Sequence, residues 1–327
     1  MNLALIGCGQ MGRGHARAAH DLGFPVVAFC DLHREAATQA RDEYGCGYVT
    51  TDPGRILRDE EIDLVIIATH HDAHHPLALA AAQAGKHILL EKPMCLTVSQ
   101  AVEVAEAVDK AGVKMAINCK FRIAPTVQKA KHLIPHPRIS HGQLAMGDSS
   151  QGRSAWIWDK DDGGGLLIST AVHTVDLLSY LMGCKAEQVY AEGRLFGTAK
   201  TTMETSDALA GTIRWDNGGV STLISTDQGF NPMVSKWFHE IWDGERSAVF
   251  SAHTSRVDFG GCEIAYLDVR ELPEDEQRRA SMLLNLIDAI REETRPLCDQ
   301  WEGVQTVAIC NALEAAARTG RPQRVWR

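Results

Sequence analysis

The stretch Leu3-Ala4-Leu5-Ile6-Gly7-Cys8-Gly9-Gln10-Met11-Gly12 decides how this chain folds at its start. Four apolar residues make a strand-like run, G-x-G-x-x-G follows without a gap, and Met11 to Leu22 continues at helical spacing. A strand that feeds a helix through three spaced glycines suits a dinucleotide pyrophosphate. Gly7 permits the tight turn, Gly9 lets the backbone approach the phosphates, and Gly12 lets the helix pack closely on the strand. Gln10 and Met11 carry free amides of the helix N-terminus, where the dipole favours negative charge. Asp31 closes the next apolar run, Val26 to Cys30, about 20 residues past the motif. A carboxylate there accepts bonds from both ribose hydroxyls and repels a 2′-phosphate, which favours NAD. Arg34 leaves NADP open.

Working outward, apolar runs at Leu64–Ala68, His87–Leu90 and Lys114–Ile117 alternate with helical patterns at Arg34–Tyr44, Ala73–Ala84 and Val98–Ala111. This alternation predicts βαβ units and an α/β fold with a parallel sheet. The segment Ile123 to Pro137 reads as a connecting helix with irregular ends. From about Arg138 the pattern changes to strands joined by tight turns; in Asp216-Asn217-Gly218-Gly219 the Asn-Gly pair is expected to supply positive φ angles. One strong helix is predicted from Gly164 to Leu181, and two more close the chain. Pro273 opens the first, with Leu283, Leu286, Ile287 and Ile290 on one stripe, and Val304 to Arg318 forms the second. With 327 residues, two domains are expected: 1–120 for the cofactor and 121–327 for substrate and assembly. The terminal helices are candidates to pack back on the first domain.

Lys and Arg number 33 against 42 Asp and Glu, a formal net charge of −9, so a nucleic-acid or anionic-membrane partner is not expected. The nine cysteines are scattered singly with no C-x-x-C pair, which reads as reduced thiols. With no basic, apolar leader at Met1, a cytoplasmic location is expected. The uncharged run Gly163 to Val175 ends at Asp176 and carries His173, too short and polar to span a bilayer.

Two residues stand out as chemistry. Lys92 follows the apolar run His87–Leu90, at the carboxyl edge where an open α/β sheet places its ligand crevice. After Gly163-Gly164-Gly165, residues Ser169, His173 and Asp176 are spaced i, i+4, i+7, one narrow polar stripe if the helix is regular. An imidazole exchanges protons near neutral pH, so His173 is the candidate acid–base group. Trp156, Trp158, Asp159 and Lys160 come just before the glycines; their rings suit either a sugar face or a core. In His70-His71-Asp72-Ala73-His74-His75 the i, i+4 imidazoles admit a metal. Asp72 as an N-cap and Pro76 in the first turn point instead to a strand-to-helix turn, and no metal is expected.

The chain resembles the Gfo/Idh/MocA family of NAD(P)-dependent sugar and cyclitol oxidoreductases. The resemblance runs from the glycine loop through Ala68-Thr69, His74 and Ala84-Gly85-Lys86-His87 into Glu91-Lys92-Pro93. It continues through Gly163-Gly164-Gly165 with His173 and Asp176, and ends at Thr319-Gly320-Arg321-Pro322. It implies a Rossmann domain, then an α/β domain with a large, mainly antiparallel open sheet that builds homodimers or homotetramers. It also implies hydride transfer between nicotinamide and a secondary alcohol or ketone of a sugar, sugar derivative or cyclitol. By resemblance Lys92 is the catalytic lysine, Thr69, His70, His74 and Glu91 lie at the cofactor, and Asp176 contacts substrate. Asn118, Lys120 and Arg122 stand where the family has an Asn-Arg-Phe-like run, with Lys120 or Arg122 placed to meet an anionic group. Ser169 and Ala171 replace an Asp and a Gly common in the family, so the Asp–His–Lys trio of inositol dehydrogenases is incomplete. A hydrolase or lyase that retains NAD, and a sugar-sensing protein without catalysis, are the alternatives.

Overall fold

Leu3–Ile6 forms β1 with all four side chains buried, and the chain turns at Gly7 into α1 (Gln10–Asp21). There follow β2 (Val26–Cys30), α2 (Arg34–Tyr44), β3 (Tyr48–Thr50), α3 (Pro53–Leu57), β4 (Leu64–Ile67), α4 (His74–Gln83), β5 (His87–Leu90), α5 (Val98–Ala111) and β6 (Met115–Ile117). The strands make one parallel sheet in the order β3-β2-β1-β4-β5-β6. Their apolar runs do not alternate because helices cover both faces of a parallel sheet. The order reverses between β1 and β4, and the carboxyl ends beside this reversal are where such sheets bind ligands. The short strand β3 was not legible in sequence; three residues are too few to show a period.

The computed structural model describes residues 1–146, 155–196, 206–229, 236–269 and 274–326. Two compact units are present: Met1–Cys95, Ser99–Lys120 and Pro273–Val304 in the first; Leu96–Val98, Phe121–Leu272 and Gln305–Arg327 in the second. The second holds α6 (Pro125–Leu133), β7 (Ile139–Ala145), a π turn at Leu167–Ala171, α7 (Val172–Met182), β8 (Ala186–Arg194), β9 (Ala208–Trp215), β10 (Val220–Thr226), β11 (Trp237–Trp242), β12 (Ser247–Ser251), β13 (Arg256–Gly260) and β14 (Tyr266–Asp268). The chain closes with α8 (Glu274–Arg291), α9 (Gln300–Thr319) and β15 (Gln323–Arg324).

Helix α8 belongs to the first unit although it follows the second sheet in sequence. Its Leu283, Leu286 and Ile287 are fully buried in one cluster with Leu3, Leu5, Phe29, Leu64 and Ile66. Each such side chain contributes about 1.5–3 kcal/mol of burial. Pro273, expected to open this helix, lies outside the described residues.

The second unit carries a nine-stranded sheet, β14-β13-β12-β11-β7-β10-β9-β8-β15, antiparallel except where β10 runs parallel to β7. Leu209, Ile213, Trp215 and Leu223 point to its buried face, which α7 covers, while Ala210, Thr212, Val220 and Ile224 lie on the open face. This in–out alternation belongs to an antiparallel sheet covered on one side.

Two local expectations are corrected. At the β9–β10 hairpin only Gly218 has a positive φ, at 83°; Asn217 keeps an ordinary backbone and its Oδ1 accepts the Gly219 amide at 2.8 Å. A four-residue connection does not need the two left-handed residues of a two-residue turn. Asp72 makes no side-chain cap: a 3-10 turn at His71–Ala73 precedes α4 and Ala73 takes the cap position. All nine cysteines are free thiols. Among the described residues no helix is long and apolar enough to cross a membrane.

Candidate active site

The glycine loop ends β1. Gly7 sits at φ 92°, and a Cβ there would lie 2.5 Å from the Ala68 carbonyl oxygen. A Cβ on Gly12 would overlap the Gly7 carbonyl, so α1 meets the strand as closely as backbone allows. Gly9 differs: space for 4 Å around its missing Cβ is open, and as N-cap of α1 it offers no side chain to the first-turn amides. Open space over uncapped amides at a helix N-terminus fits an anionic pyrophosphate. Asp31, just past β2, accepts the Cys8 amide on Oδ2 and the His33 amide on Oδ1, both at 2.8 Å. Two backbone donors thus hold this carboxylate at the end of β2, while Arg34 beside it is exposed. Burial, then the Asp31 charge, pushes the Cys8 thiol up to about 12, so it stays protonated in the loop.

The Glu91-Lys92-Pro93 tripeptide ends β5. Glu91 is buried, and its Oε1 accepts from His15 Nε2 and from Asn118 Nδ2, each at 2.8 Å. Its Oε2 accepts the Lys92 amide at 3.2 Å. Burial raises a carboxylic acid, but here the bond and charge of His15, the Lys92 charge and the Asn118 bond outweigh it and hold Glu91 well below the carboxylate range. Lys92 itself is half-buried. His74 lies fully buried and donates from Nδ1 to the Pro93 carbonyl at 2.7 Å. Burial lowers its affinity for a second proton, so Nε2 is left as a bare acceptor. Asn118 Oδ1, His15 Nδ1 and this His74 Nε2 have no partner among the described residues. Buried polar atoms without partners mark where a polar ligand completes the bonding. Thr69 is half-buried and donates from Oγ1 to the His70 carbonyl at 3.1 Å.

In the second unit, His173 is 8 % exposed on α7. Its ring centroid lies 5.2 Å from Phe121 and 5.7 Å from Trp237, the latter edge-on at 85°. The π turn Leu167–Ala171 replaces the regular helix expected before it. A π turn takes up an extra residue, so the regular step of about 100° assumed from Ser169 to Asp176 does not hold across it. Ser169 lies buried with Oγ 3.2 Å from Thr170 Oγ1.

Arg122 and Asp176 are each 1 % exposed and bonded to one another. Arg122 Nε donates to Oδ1 and Oδ2 at 3.1 and 3.0 Å, Nη2 donates to Oδ1 at 2.8 Å, and the Thr306 hydroxyl adds a bond at 3.3 Å. The guanidinium stands 5.1 Å from the Tyr180 ring centroid. Both charges expected to face substrate are therefore engaged with each other in this conformation. Trp158 is 4 % exposed with its indole N–H unpartnered among the described residues, and Lys120 is half-buried.

Sequence reasoning missed His15 and the aromatic wall of Phe121 and Trp237. His15 had a signal, a polar residue three after Gly12 on a face otherwise carrying Gly12, Ala16 and Ala19. Phe121 and Trp237 meet His173 only through tertiary packing.

A parallel sheet with a glycine loop on β1, an acid on β2 and a lysine on β5 defines a dinucleotide-dependent oxidoreductase. Residues 1–119 match the oxidoreductase family with an NAD-binding Rossmann fold, and residues 128–231 match the GFO/IDH/MocA C-terminal domain. The chain belongs to the Gfo/Idh/MocA family and is an NAD-dependent oxidoreductase. It is 26 % identical to the D-glucoside 3-dehydrogenase of Escherichia coli over 98 % of this chain and 96 % of that one. Over 59 % of this chain and 57 % of the other it is 30 % identical to scyllo-inositol 2-dehydrogenase (NAD(+)) of Bacillus subtilis. Levoglucosan dehydrogenase, solved with NADH and levoglucosan, shares the fold at a TM-score of 0.89 and 23 % identity, covering 100 % of this chain and 99 % of that one.

Proposed function

We propose that this protein oxidises or reduces a secondary alcohol or ketone on a sugar, sugar derivative or cyclitol. NAD, when bound, supplies the acceptor or donor of hydride. Gly7, Gly9, Gln10, Met11 and Gly12 would hold the pyrophosphate, Asp31 the adenosine ribose with Arg34 beside it, and Thr69, His70, His74 and Glu91 the nicotinamide half. In oxidation Lys92 orients the carbinol and stabilises the developing alkoxide, and His173 takes the hydroxyl proton; in reduction His173 returns it. Asn118, Lys120, Trp158 and Ser169 would contact the remaining hydroxyls. Arg122 and Asp176, bonded to each other, would shape that site rather than carry a free charge to it.

The observation that carries this reading is Lys92 at the carboxyl end of β5, following a buried carboxylate and flanked by buried polar atoms without partners among the described residues. The named activities of the D-glucoside, inositol and levoglucosan relatives support the substrate class. A panel of polyols and keto-sugars with NAD and NADP should show an absorbance change at 340 nm that is lost in Lys92→Ala. Silence across that panel with both cofactors would sink the proposal.

The assembly proposed is a homodimer or homotetramer through the open face of the nine-stranded sheet. Tyr190, Val220 and Ile224 stand 37 %, 42 % and 39 % exposed there, more apolar surface than a solvated sheet face needs. Ile224→Lys should then lower the mass seen by light scattering, whereas a monomeric parent protein would refute it.

A further inference from the structure

Helix α1 packs its Gly12, Ala16 and Ala19 against the sheet, and an imidazole on that face costs desolvation. His15 is nevertheless 1 % exposed there. It spans from the helix after β1 to the carboxyl end of β5, where Nε2 meets Glu91 Oε1 at 2.8 Å. An ionised carboxylate only accepts, so His15 is the donor. Asn118, just past β6, brings the second bond to Oε1, and the Lys92 amide takes Oε2. Three elements of the first unit thus converge on one carboxylate, whose own side chain has three rotatable bonds to be held.

We propose that His15 is a positioning residue for Lys92. It pins the Glu91 carboxylate, which in turn fixes the Lys92 backbone amide and the direction in which the lysine side chain leaves the strand. Without His15, Oε1 keeps a single donor, and the 3.2 Å contact from Lys92 to Oε2 is the longest of the three and the first to open. The lysine ammonium sits at the end of a long side chain, so a small backbone rotation moves it far. A misplacement of about 1 Å is enough to cost about 100-fold in rate. His15 lies on the same helix whose N-terminal amides would take the pyrophosphate, so cofactor seat and lysine share one rigid element.

The catalytic weight of Lys92 rests on the dehydrogenase reading, but the placement of its amide does not, so two measurements separate the two ideas. In the full-length protein, hydrogen exchange resolved at the Lys92 amide should accelerate about tenfold or more in His15→Leu, the loss of about one hydrogen bond. It should return toward the parent rate in His15→Gln, whose amide N–H reaches about as far as imidazole Nε2. The Ala4 and Ala28 amides in β1 and β2 should not change. His15→Asn, whose amide stops short of Glu91, replaces the leucine variant should that one not fold. Unchanged exchange at Lys92, or equal acceleration across the parallel sheet, overturns the proposal. With a substrate from the panel, His15→Leu should lower kcat about tenfold or more while the NADH Kd, read by fluorescence without substrate, stays within about threefold. His15→Gln should recover most of kcat. A loss accounted for entirely by weaker NADH binding also overturns it. No turnover by the parent protein refutes the dehydrogenase reading alone, and the exchange result then decides the role of His15.

Discussion

Arg122→Leu tests what the buried pair in the second unit is for. Asp176 is 1 % exposed, with three contacts from one guanidinium and a longer bond from Thr306. Removing the guanidinium takes the opposite charge from a buried carboxylate, which costs about 3–5 kcal/mol. A unit of roughly 200 residues loses about 2–4 °C per kcal/mol, so Tm should fall by about 6–20 °C. Urea unfolding should report the same loss as a lower midpoint with an unchanged slope. Removing both charges in R122M/D176L should recover most of it, because a well-packed apolar pair is often as stable as a buried ion pair. The reasoning fails if Arg122→Leu stays within about 1 kcal/mol of the parent. A raised KM in that stable variant would mean that Arg122 serves substrate and not Asp176.

Three further outcomes are expected. Burial pushes the Glu314 carboxyl on α9 up to about 7, with Oε1 unpartnered among the described residues. The unfolded chain ionises Glu314 first, so its contribution to stability falls as pH rises from about 4.5 to about 7; the full penalty is about 3 kcal/mol above pH 8, and Glu314→Gln should flatten that part of the stability–pH curve. Parallel curves for parent and variant would contradict this. Gly12→Ala places a methyl on the Gly7 carbonyl and against Leu5 Cδ1 at 3.4 Å, so α1 must lift and NADH binding by fluorescence should weaken by more than about tenfold; an unchanged Kd would argue against the close packing. Leu286→Ala on α8 empties a fully buried position of the first unit and should cost about 2–5 kcal/mol in urea unfolding; a loss under about 1 kcal/mol would mean α8 is not core.

The cofactor half was legible because its signals are local. The glycine spacing, the acid at Asp31 and the apolar runs of β1, β2 and β5 each read within about ten residues, and the observed elements match those runs closely. The lysine at the edge of β5 was legible for the same reason, since a strand end followed by Glu-Lys-Pro needs no distant residue to recognise. The stripe from Ser169 to Asp176 was less legible. Counting assumed a regular helix, and the π turn at Leu167–Ala171 changes the angular step just before His173. Residue propensity over five positions does not signal such a turn.

Residue order and side-chain chemistry alone determined the α/β class, the dinucleotide loop, the acidic balance and the two candidate reacting groups. Those features depend on neighbours in the chain, where steric and hydrogen-bond rules act over one strand or turn. Tertiary structure decided which charges remain to act. Arg122 and Asp176 are 54 positions apart and cancel one another, and His15 and Glu91, 76 apart, build the support beneath Lys92. Burial sets the cost of an unpaired charge, and only the folded arrangement reveals which partner meets that cost.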